Sequence, residues 1–189
     1  MIKDSNNNII IGFIGKKGSG KTTIANYIKN QLIKSKNFNN NDIIIMNFAD
    51  SIKQCLKIIF DFSDEELYGN KKEELDKNWN IIPRDIMQYY ATELMRYGIS
   101  EKYPEIGTNI WVKSLENKIN KLHNKIILIA DVRFKNECEM IIKHNGIIIK
   151  IIRNSCYSNN KFCNHKSEKD LDDYNFDFYI KNNIDLTKI

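Results

Sequence analysis

The sequence lacks the features that place a chain in a membrane or in an oxidising compartment. No apolar run approaches the ~20 residues of a membrane-spanning helix. The N-terminal residues MIKDSNNN contain no apolar stretch of the kind found in secretory signals. The four cysteines are dispersed along the chain, which favours reduced thiols over a disulfide framework. We therefore expect a cytoplasmic protein without a membrane partner.

The sequence also lacks a concentrated block of positive charge. The formal net charge is +5, but the lysines are spread over the whole chain, as on an ordinary solvated surface. No basic patch is interleaved with aromatic residues in the manner of proteins that bind single-stranded nucleic acid. The charge permits a polyanionic partner without requiring one, so nucleic acid is the less favoured partner.

A complete phosphate-loop pattern follows the first apolar run of the chain. Ile9–Ile14 leads into GKKGSGKT, which fits G-x-x-x-x-G-K-[ST] without a gap. The run predicts a strand, and the spacing of Ile24, Ile28 and Leu32 predicts a helix over Thr22–Ile33. A chance match in a turn is the alternative, and the flanking strand and helix argue against it. The candidate ATP-binding residues are Gly15, Lys16, Lys17, Gly18, Ser19, Gly20, Lys21, Thr22 and Thr23.

The residue types in this loop suit a triphosphate. Glycines let consecutive backbone N–H groups face one concavity, and the positive end of the following helix adds to the attraction for an anion. Lys21 can place its charge on the transferred phosphate, and the Thr22 hydroxyl can bind Mg²⁺. We therefore expect ATP and Mg²⁺ as ligands, with Lys21 as a catalytic residue.

Other candidate residues follow later apolar runs. Asp131 comes after IILIA and matches a Walker-B acid that binds Mg²⁺ directly or through water. Arg133 stands two residues further on, and Arg153 closes another apolar run. Asp50 follows Ile43–Phe48 and is a candidate substrate contact, with a helix N-cap as the alternative. Because the carboxyl ends of parallel strands meet at one edge, we expect these residues to act there together, with Asp131, Arg133 and Arg153 as catalytic residues.

A helix predicted from Pro83 to about Tyr97, with Gly98 as its stop, carries a candidate acceptor site. Arg84, Gln88 and Thr92 recur at a four-residue spacing and form a polar ridge apart from an apolar stripe. A guanidinium, an amide and a hydroxyl in line can hold a phosphate and a base edge. A solvated helix face is the alternative, although such a face usually carries Lys and Glu.

Alternating strands and helices over 189 residues predict a single three-layer α/β domain, 1–189, with a parallel sheet. The charged, sparsely apolar stretch Ser63–Trp79 predicts a helical excursion, so that an acceptor-binding insertion would occupy about 60–110. The stretch Asn154–Lys166 has cationic residues and no apolar period, which predicts a lid at about 153–168.

Three residues of the predicted lid raise the question of a metal: Cys156, Cys163 and His165. Their spacing lacks the close cysteine pair of a structural zinc site, and no fourth ligand is evident. The sequence therefore does not favour a zinc site and leaves open whether these residues bind a metal.

Together the motifs predict a small-molecule kinase that uses ATP. Phosphoryl transfer needs alignment and cations more than covalent assistance. A switch GTPase is disfavoured, because no N-K-x-D follows a late apolar run and Asp131 is followed by Val-Arg-Phe where D-x-x-G would be expected. Arg84 and Arg133 are fork-shaped cations beyond those that ATP requires, which suits a dianionic phosphate on the acceptor.

Six stretches resemble, in this order, the deoxynucleoside monophosphate kinases of bacteriophages and large DNA viruses: GKKGSGKT, FADSIK, PRDIMQYYATELMR, NIWVKSL, ADVRFKNECEMI and HKSEKDLDDYNFDFYIKN. The similarity spans nearly the whole chain, and D-V-R-F-x-N-E with a later H-x-S-E is far more specific than the phosphate loop. It implies an adenylate-kinase-like P-loop sandwich with a five-stranded sheet in the order 2-3-1-4-5. It also implies transfer of the γ-phosphate of ATP to the 5′-phosphate of a deoxynucleotide, supplying DNA precursors, in the host cytoplasm if the source is viral.

The resemblance assigns roles by motif. It implies that Arg84 and Gln88 contact the phosphate and base of the acceptor. Trp111 resembles an aromatic residue of the acceptor pocket, with a core tryptophan as the alternative. Asp131 matches the acidic residue that lies beside the metal in the family. Arg133 matches the cation that binds a phosphate, and Arg153 matches a residue of the lid.

Two positions depart from the family pattern. Thr22 stands where the family often has Asp after the loop lysine, which favours ordinary Mg²⁺ ligation by the hydroxyl. Ala91 stands where some members carry a polar residue or glycine, which leaves the preferred base open.

Two other functions stay open on the sequence alone. Phosphomevalonate kinases of animals have a similar loop and sheet, and the two arginines would suit that acceptor as well. A nucleic-acid-associated P-loop ATPase is favoured by the basic composition and the Tyr89-Tyr90 pair. The sequence does not decide between deoxyribose and ribose, or between a monomer and a homodimer.

Overall fold

The computed structural model describes residues 3–153, 170–171, 174, 176 and 178–182. The chain divides into two compact units. We call Met1–Asn47 with Glu116–Ile189 the sheet unit, and Phe48–Leu115 the helical unit. The predicted single domain, its insertion at about 60–110 and its lid stay predictions; residues 154–168 of the lid lie outside the described residues.

The sheet unit is built on five parallel strands. Their order is β2-β3-β1-β4-β5, which confirms the order that the resemblance implies. Isoleucine dominates four of the five, as expected of a buried parallel sheet. The register runs from Ile9 opposite Ile126 and from Ile11 opposite Ile147. The strands are β1 (Ile9–Ile14), β2 (Ile43–Met46), β3 (Ile126–Ile129), β4 (Ile147–Ile152) and β5 (Phe178–Lys181).

The α-helices described are α1 (Lys21–Lys34), α2 (Ala49–Phe60), α3 (Asp64–Leu67), α4 (Pro83–Gln88), α5 (Ile99–Lys102), α6 (Ile110–Ile119) and α7 (Lys135–Lys143). Short 3₁₀ turns lie at Asn40–Asp42, Asn70–Glu73 and Gly107–Asn109. The boundary between the two units falls within α6. Among these helices none has the length and apolar character that crossing a bilayer requires.

Helices α1 and α7 cover opposite faces of the sheet. Successive strand residues point to opposite faces. Phe13 of β1 packs in one core cluster with Ala25 of α1. On the other face a Cβ at Gly12 would lie 2.6 Å from Cδ1 of Ile141 in α7, so glycine permits the close approach of that helix. The result is the three-layer arrangement that the sequence predicts.

The helical unit has a core of its own. Leu56, Phe62 and Leu67 are each at most 2% exposed. Trp79 packs edge-on against Phe60, with ring centres 5.1 Å apart, and its indole Nε1 donates to the Phe60 carbonyl at 2.8 Å. The excursion predicted from Ser63 to Trp79 is therefore anchored by helical turns and aromatic packing.

The helix predicted from Pro83 changes type at its midpoint. After α4 the backbone continues as a π-helix over Tyr89–Gly98. The backbone N–H of Ile99 donates to the Leu94 carbonyl, five residues earlier. The Trp111 indole donates to the Ala91 carbonyl at 2.8 Å, which satisfies an acceptor in the widened segment.

The π-helix corrects the predicted polar ridge. A four-residue spacing keeps side chains on one face only in an α-helix. Arg84 and Gln88 lie within α4, but Thr92 lies in the π-helical segment and is 3% exposed. The α-helical prediction is therefore wrong beyond Gln88, and the ridge ends there.

Candidate functional site

The phosphate-loop pattern lies between β1 and α1, as the sequence predicts. Gly15 and Gly20 have φ values of 151° and 93°, which other residues rarely adopt. A Cβ at Gly15 would also lie 2.5 Å from the carbonyl oxygen of Ile151. Gly20 is the N-cap of α1, so the loop runs directly into the helix N-terminus. These are the features of a backbone concavity that binds anions.

Lys21 lies against its own loop. The residue is 9% exposed, and its Nζ donates to the carbonyls of Gly15 at 2.5 Å and Lys16 at 3.3 Å. The ammonium is thus satisfied by carbonyls of the curled backbone. A phosphate is a stronger hydrogen-bond partner for the ammonium than a carbonyl is. A phosphate bound in the loop would lie beside Lys21 and would replace these carbonyls as its partner.

Ser19 carries a buried hydroxyl. The residue is 1% exposed, and its Oγ has no hydrogen-bond partner among the described residues. A buried polar group without a partner costs roughly 1–3 kcal/mol. A phosphate oxygen would satisfy the hydroxyl, so the residues of this loop fit the phosphate chain of a nucleotide.

The other residues of the pattern are more accessible. Lys16 and Gly18 are exposed, and Lys17 is half-buried. Thr22 and Thr23 are exposed in the first turn of α1. The Thr22 hydroxyl is thus available at the end of the loop for the oxygen coordination that Mg²⁺ prefers.

Asp131, Arg133 and Arg153 lie at the carboxyl ends of β3 and β4, the edge that also carries the loop. Nη1 of Arg153 is 3.4 Å from the Gly18 carbonyl, so the structure brings Arg153 to the phosphate loop. Asp131 and Arg133 share the turn between β3 and α7, and both are half-buried. A carboxylate that can bind a metal and a guanidinium that can bind a phosphate are therefore two residues apart in one turn.

The described part of the chain offers few ligands for a metal ion. The residues described contain no group of three or more His, Cys, Asp and Glu side chains that could hold an ion. Mg²⁺ is commonly held by one or two protein oxygens together with phosphates. Thr22 and Asp131 fit that mode of binding. Cys156, Cys163 and His165 lie outside the described residues.

Glu137 is a site residue that sequence reasoning missed. The residue is 2% exposed, and its Oε2 accepts the backbone N–H groups of Arg133 at 2.8 Å and Phe134 at 3.1 Å. These donors and the N-terminus of α7 stabilise the buried carboxylate. Glu137 thereby fixes the turn that carries Asp131 and Arg133. The signal was present, because an acid three residues after a helix N-cap typically binds the backbone there.

Asn182 is a second missed residue. It follows β5 directly, and its side-chain Nδ2 donates to the Ser19 carbonyl at 2.8 Å. A polar residue at the carboxyl end of the last strand was the available signal. Its contact with the loop could not be read from the sequence, since 163 residues separate the two partners.

In the helical unit, Arg84 lies in the first turn of α4 with a side chain only 13% exposed. Its Nη1 is 3.8 Å from Oε1 of Glu73. Gln88 is half-buried one helical turn later, so both side chains share a face of α4. The structure thus groups a guanidinium and an amide, and their role at an acceptor stays a prediction.

Asp50 lies within the first turn of α2, which begins at Ala49 with Phe48 as its N-cap. The N-cap interpretation of Asp50 is therefore wrong, although an acid there still favours the helix dipole. Asp50 contributes to a small polar group around Tyr68. Burial, together with the negative charges of Asp50 and Asp64, raises the pKa of the Tyr68 phenol above its ordinary value.

Trp111 lies inside the helical unit. The residue is 5% exposed, and its only ring N–H is used by the Ala91 carbonyl. This environment is that of a core tryptophan, the alternative that the sequence left open. A contact between its ring and an acceptor stays a prediction.

Comparison with known proteins agrees with the motifs. No protein-family model matches the chain. A protein of Acanthamoeba polyphaga mimivirus, described as "Putative deoxynucleotide monophosphate kinase", is 34% identical over 186 residues, which cover 93% of this chain and 89% of the relative. Identity at this level over nearly the full length of both chains confirms the resemblance. The chain therefore belongs to the deoxynucleotide monophosphate kinase family of large DNA viruses.

Proposed function

We propose that this protein transfers the γ-phosphate of ATP to the 5′-phosphate of a deoxynucleoside monophosphate, giving a deoxynucleoside diphosphate and ADP. The observation that carries the proposal is the curled loop with Lys21 Nζ on the carbonyls of Gly15 and Lys16. The buried Ser19 hydroxyl supports phosphate binding there. Membership of the kinase family supports the choice of reaction.

The phosphate loop holds the triphosphate in this proposal. Its backbone N–H groups bind the phosphate oxygens, and Lys21 moves from its loop carbonyls to the phosphates. Thr22 and Asp131 would hold Mg²⁺, which would neutralise part of the charge of the phosphates when bound. The sheet unit therefore provides the donor site.

The helical unit provides the acceptor site. Arg84 binds the dianionic phosphate of the monophosphate, which replaces the weakly held Glu73 as the partner of the guanidinium. Gln88 binds the base edge, and Asp50 is a further substrate contact. Residues of about 60–110 thus act as the acceptor-binding insertion, and residues of about 153–168 act as a lid that excludes water.

The reaction needs charge stabilisation more than proton transfer. An oxygen of the acceptor phosphate bonds to the γ-phosphorus while the bond from that phosphorus to the β–γ bridging oxygen breaks. ADP leaves with the bonding electron pair. A phosphate monoester is largely dianionic at neutral pH, with a second pKa of about 6, so no side chain has to deprotonate the acceptor. Lys21, Arg133 and Arg153 stabilise the migrating group.

A coupled assay of ADP release tests the function. Each of the four deoxynucleoside monophosphates and each ribonucleotide counterpart is supplied with Mg²⁺ and ATP. We expect ADP release that depends on at least one deoxynucleotide. Dependence on phosphomevalonate or on single-stranded DNA instead would contradict the proposal in favour of the corresponding alternative.

Arg84→Ala tests the acceptor site. We expect the KM for the deoxynucleotide to rise at least about tenfold while the KM for ATP changes little, because the lost guanidinium binds only the acceptor phosphate. Glu73→Gln is the matched control: it breaks the same ion pair but keeps the guanidinium, so the acceptor KM should not rise. Equal effects of Arg84→Ala on both KM values would place Arg84 outside the acceptor site.

A further inference from the structure

Asn182 connects the end of the sheet to the phosphate loop through two hydrogen bonds. Its backbone N–H donates to the Ile152 carbonyl at 2.8 Å, which fixes its main chain at the end of β4. Its side-chain Nδ2 donates to the Ser19 carbonyl, also at 2.8 Å. The side chain is half-buried. The residue that follows the last strand therefore holds one peptide group of the loop.

The peptide held in this way joins Ser19 to Gly20. A trans peptide is planar, and its N–H points opposite to its carbonyl. The chain has no cis peptide among the described residues. Drawing the Ser19 carbonyl toward Asn182 therefore directs the Gly20 N–H the other way. Since that N–H stands at the N-terminus of α1, its direction decides whether it can serve as an anion donor.

The packing at Gly20 shows how closely the amide approaches. A Cβ built on Gly20 would collide with Nδ2 of Asn182. The positive φ of 93° at the same residue also favours glycine. Glycine at this position therefore serves both the curl of the loop and the contact with Asn182.

We infer that Asn182 is a positioning residue of the phosphate loop: its amide holds the Ser19–Gly20 peptide in the orientation that turns the Gly20 N–H toward a bound phosphate. The inference rests on the proposed function, in which a triphosphate occupies the loop. Without the amide, the peptide can rotate and present its carbonyl to the anion, which would repel it. A preformed donor requires no such rearrangement when the ligand binds.

A direct contact between Asn182 and the nucleoside is the rival role. It predicts a different ligand dependence, since a nucleoside contact matters only for ligands that have a base and a sugar. A loop-positioning residue matters for any ligand that places phosphates in the loop. Inorganic tripolyphosphate has the phosphates alone and therefore separates the two roles.

The test titrates ATP and tripolyphosphate into wild type, Asn182→Leu and Asn182→Ala by calorimetry. Leucine keeps the shape and neutrality of asparagine but has no donor, and alanine removes the branch if leucine impairs folding. Asn6→Ala is the matched control, because Asn6 Nδ2 also donates to a backbone carbonyl, that of Asn120 at 3.1 Å, at the opposite end of the sheet. Thermal unfolding of each variant checks that it is folded.

We expect Kd to rise about tenfold for both ligands in the Asn182 variants, the effect of losing one hydrogen bond that orders a binding group. The control should bind as wild type does. In steady state, the KM for ATP should rise while the KM for the deoxynucleotide stays unchanged.

Weaker ATP binding with unchanged tripolyphosphate binding would overturn the inference in favour of a nucleoside contact. Unchanged binding of both ligands in folded variants would overturn it as well, while leaving the proposed function intact. If wild type itself bound neither ligand, the proposed function would fail and the inference with it.

Discussion

The two ends of the parallel sheet differ in whether their buried polar side chains have hydrogen-bond partners within the protein. At the amino end, Asn8 is fully buried, and its side chain bonds to Asp4, to the Leu122 carbonyl and to the backbone N–H of Lys125. At the carboxyl end, the equally buried Ser19 hydroxyl has no partner among the described residues. One end satisfies its polar groups within the protein, and the other leaves a polar group for a ligand.

This difference separates residues that stabilise the fold from residues that bind a substrate. A satisfied buried network lowers the free energy of the folded state and has nothing left to offer a ligand. A buried hydroxyl without a partner costs stability until a ligand binds. Substitutions at the amino end should therefore change the free energy of unfolding, and those at the carboxyl end should change catalysis.

The largest effect is expected at the carboxyl end, for Lys21→Ala. We expect turnover to fall at least ~10²-fold, because the substitution removes a charge that stabilises the transition state. Its Nζ donates to two carbonyls of its own loop, and we expect the free energy of unfolding to change much less than the turnover does. The measurements are kcat by the coupled assay and urea unfolding.

Lys34→Ala, which removes an exposed lysine from the last turn of the same helix, is the control for Lys21 and should keep wild-type turnover. If purified, folded Lys21→Ala turned over at the wild-type rate, the phosphate-loop mechanism would be excluded. If it lost stability and activity in parallel, the contrast between the two ends would break down.

Asp4→Ala is the corresponding test at the amino end. The Asp4 carboxylate accepts the backbone N–H groups of Asn6 at 2.9 Å and Asn8 at 2.7 Å, and the Asn8 amide at 3.2 Å. Alanine would leave buried donors without a partner, so we expect a loss of about 2 kcal/mol in the free energy of unfolding. Asp4→Asn keeps an acceptor oxygen and should lose less.

Activity provides the second readout for Asp4. At a temperature where Asp4→Ala is folded, kcat and both KM values should match wild type, because the network lies at the end of the sheet away from the loop. A fall in kcat without a fall in stability would show that the amino end takes part in catalysis, contrary to the comparison.

The sheet and the phosphate loop were predictable because their signals are local. Runs of isoleucine define buried strands, and β1 begins and ends where the sequence predicts. The loop pattern contains within eight residues both the glycines and the cation that the geometry requires. The strand order came from the family resemblance, not from periodicity.

Two of the features that were missed depend on distant partners. The π-helix involves Ala91 and Trp111, whose hydrogen bond spans 20 residues, and apolar spacing cannot report it. The bond from Asn182 to Ser19 spans 163 residues. The N-cap interpretation of Asp50 failed for a local reason, since α2 begins at Ala49 and Asp50 already lies in its first turn.

The smallest effect is expected for Glu116, which also belongs to the amino end. Its Oε1 lies 3.0 Å from His144 Nε2 and 3.2 Å from Lys143 Nζ, and the other ring nitrogen of His144 is 3.7 Å from Asp4. Burial alone would raise the pKa of the Glu116 carboxyl, but the hydrogen bonds from His144 and Lys143 outweigh it and hold that pKa below the ordinary 4.5. Above that value the stabilisation is complete.

As the pH falls below 4.5, Glu116 is protonated in the unfolded chain before it is protonated in the folded chain. The contribution of the Glu116 contacts to the free energy of unfolding therefore decreases until the pH reaches the lower pKa of the folded state. Glu116→Gln removes it, and the fall in unfolding free energy between pH 6 and pH 3.5 should shrink by about 0.5 kcal/mol, since the pair is partly solvated. Glu139→Gln, which removes an exposed carboxyl from α7, should follow the wild-type pH dependence. If both variants followed the wild-type pH dependence, the Glu116 contacts would contribute nothing to the stability of the amino end.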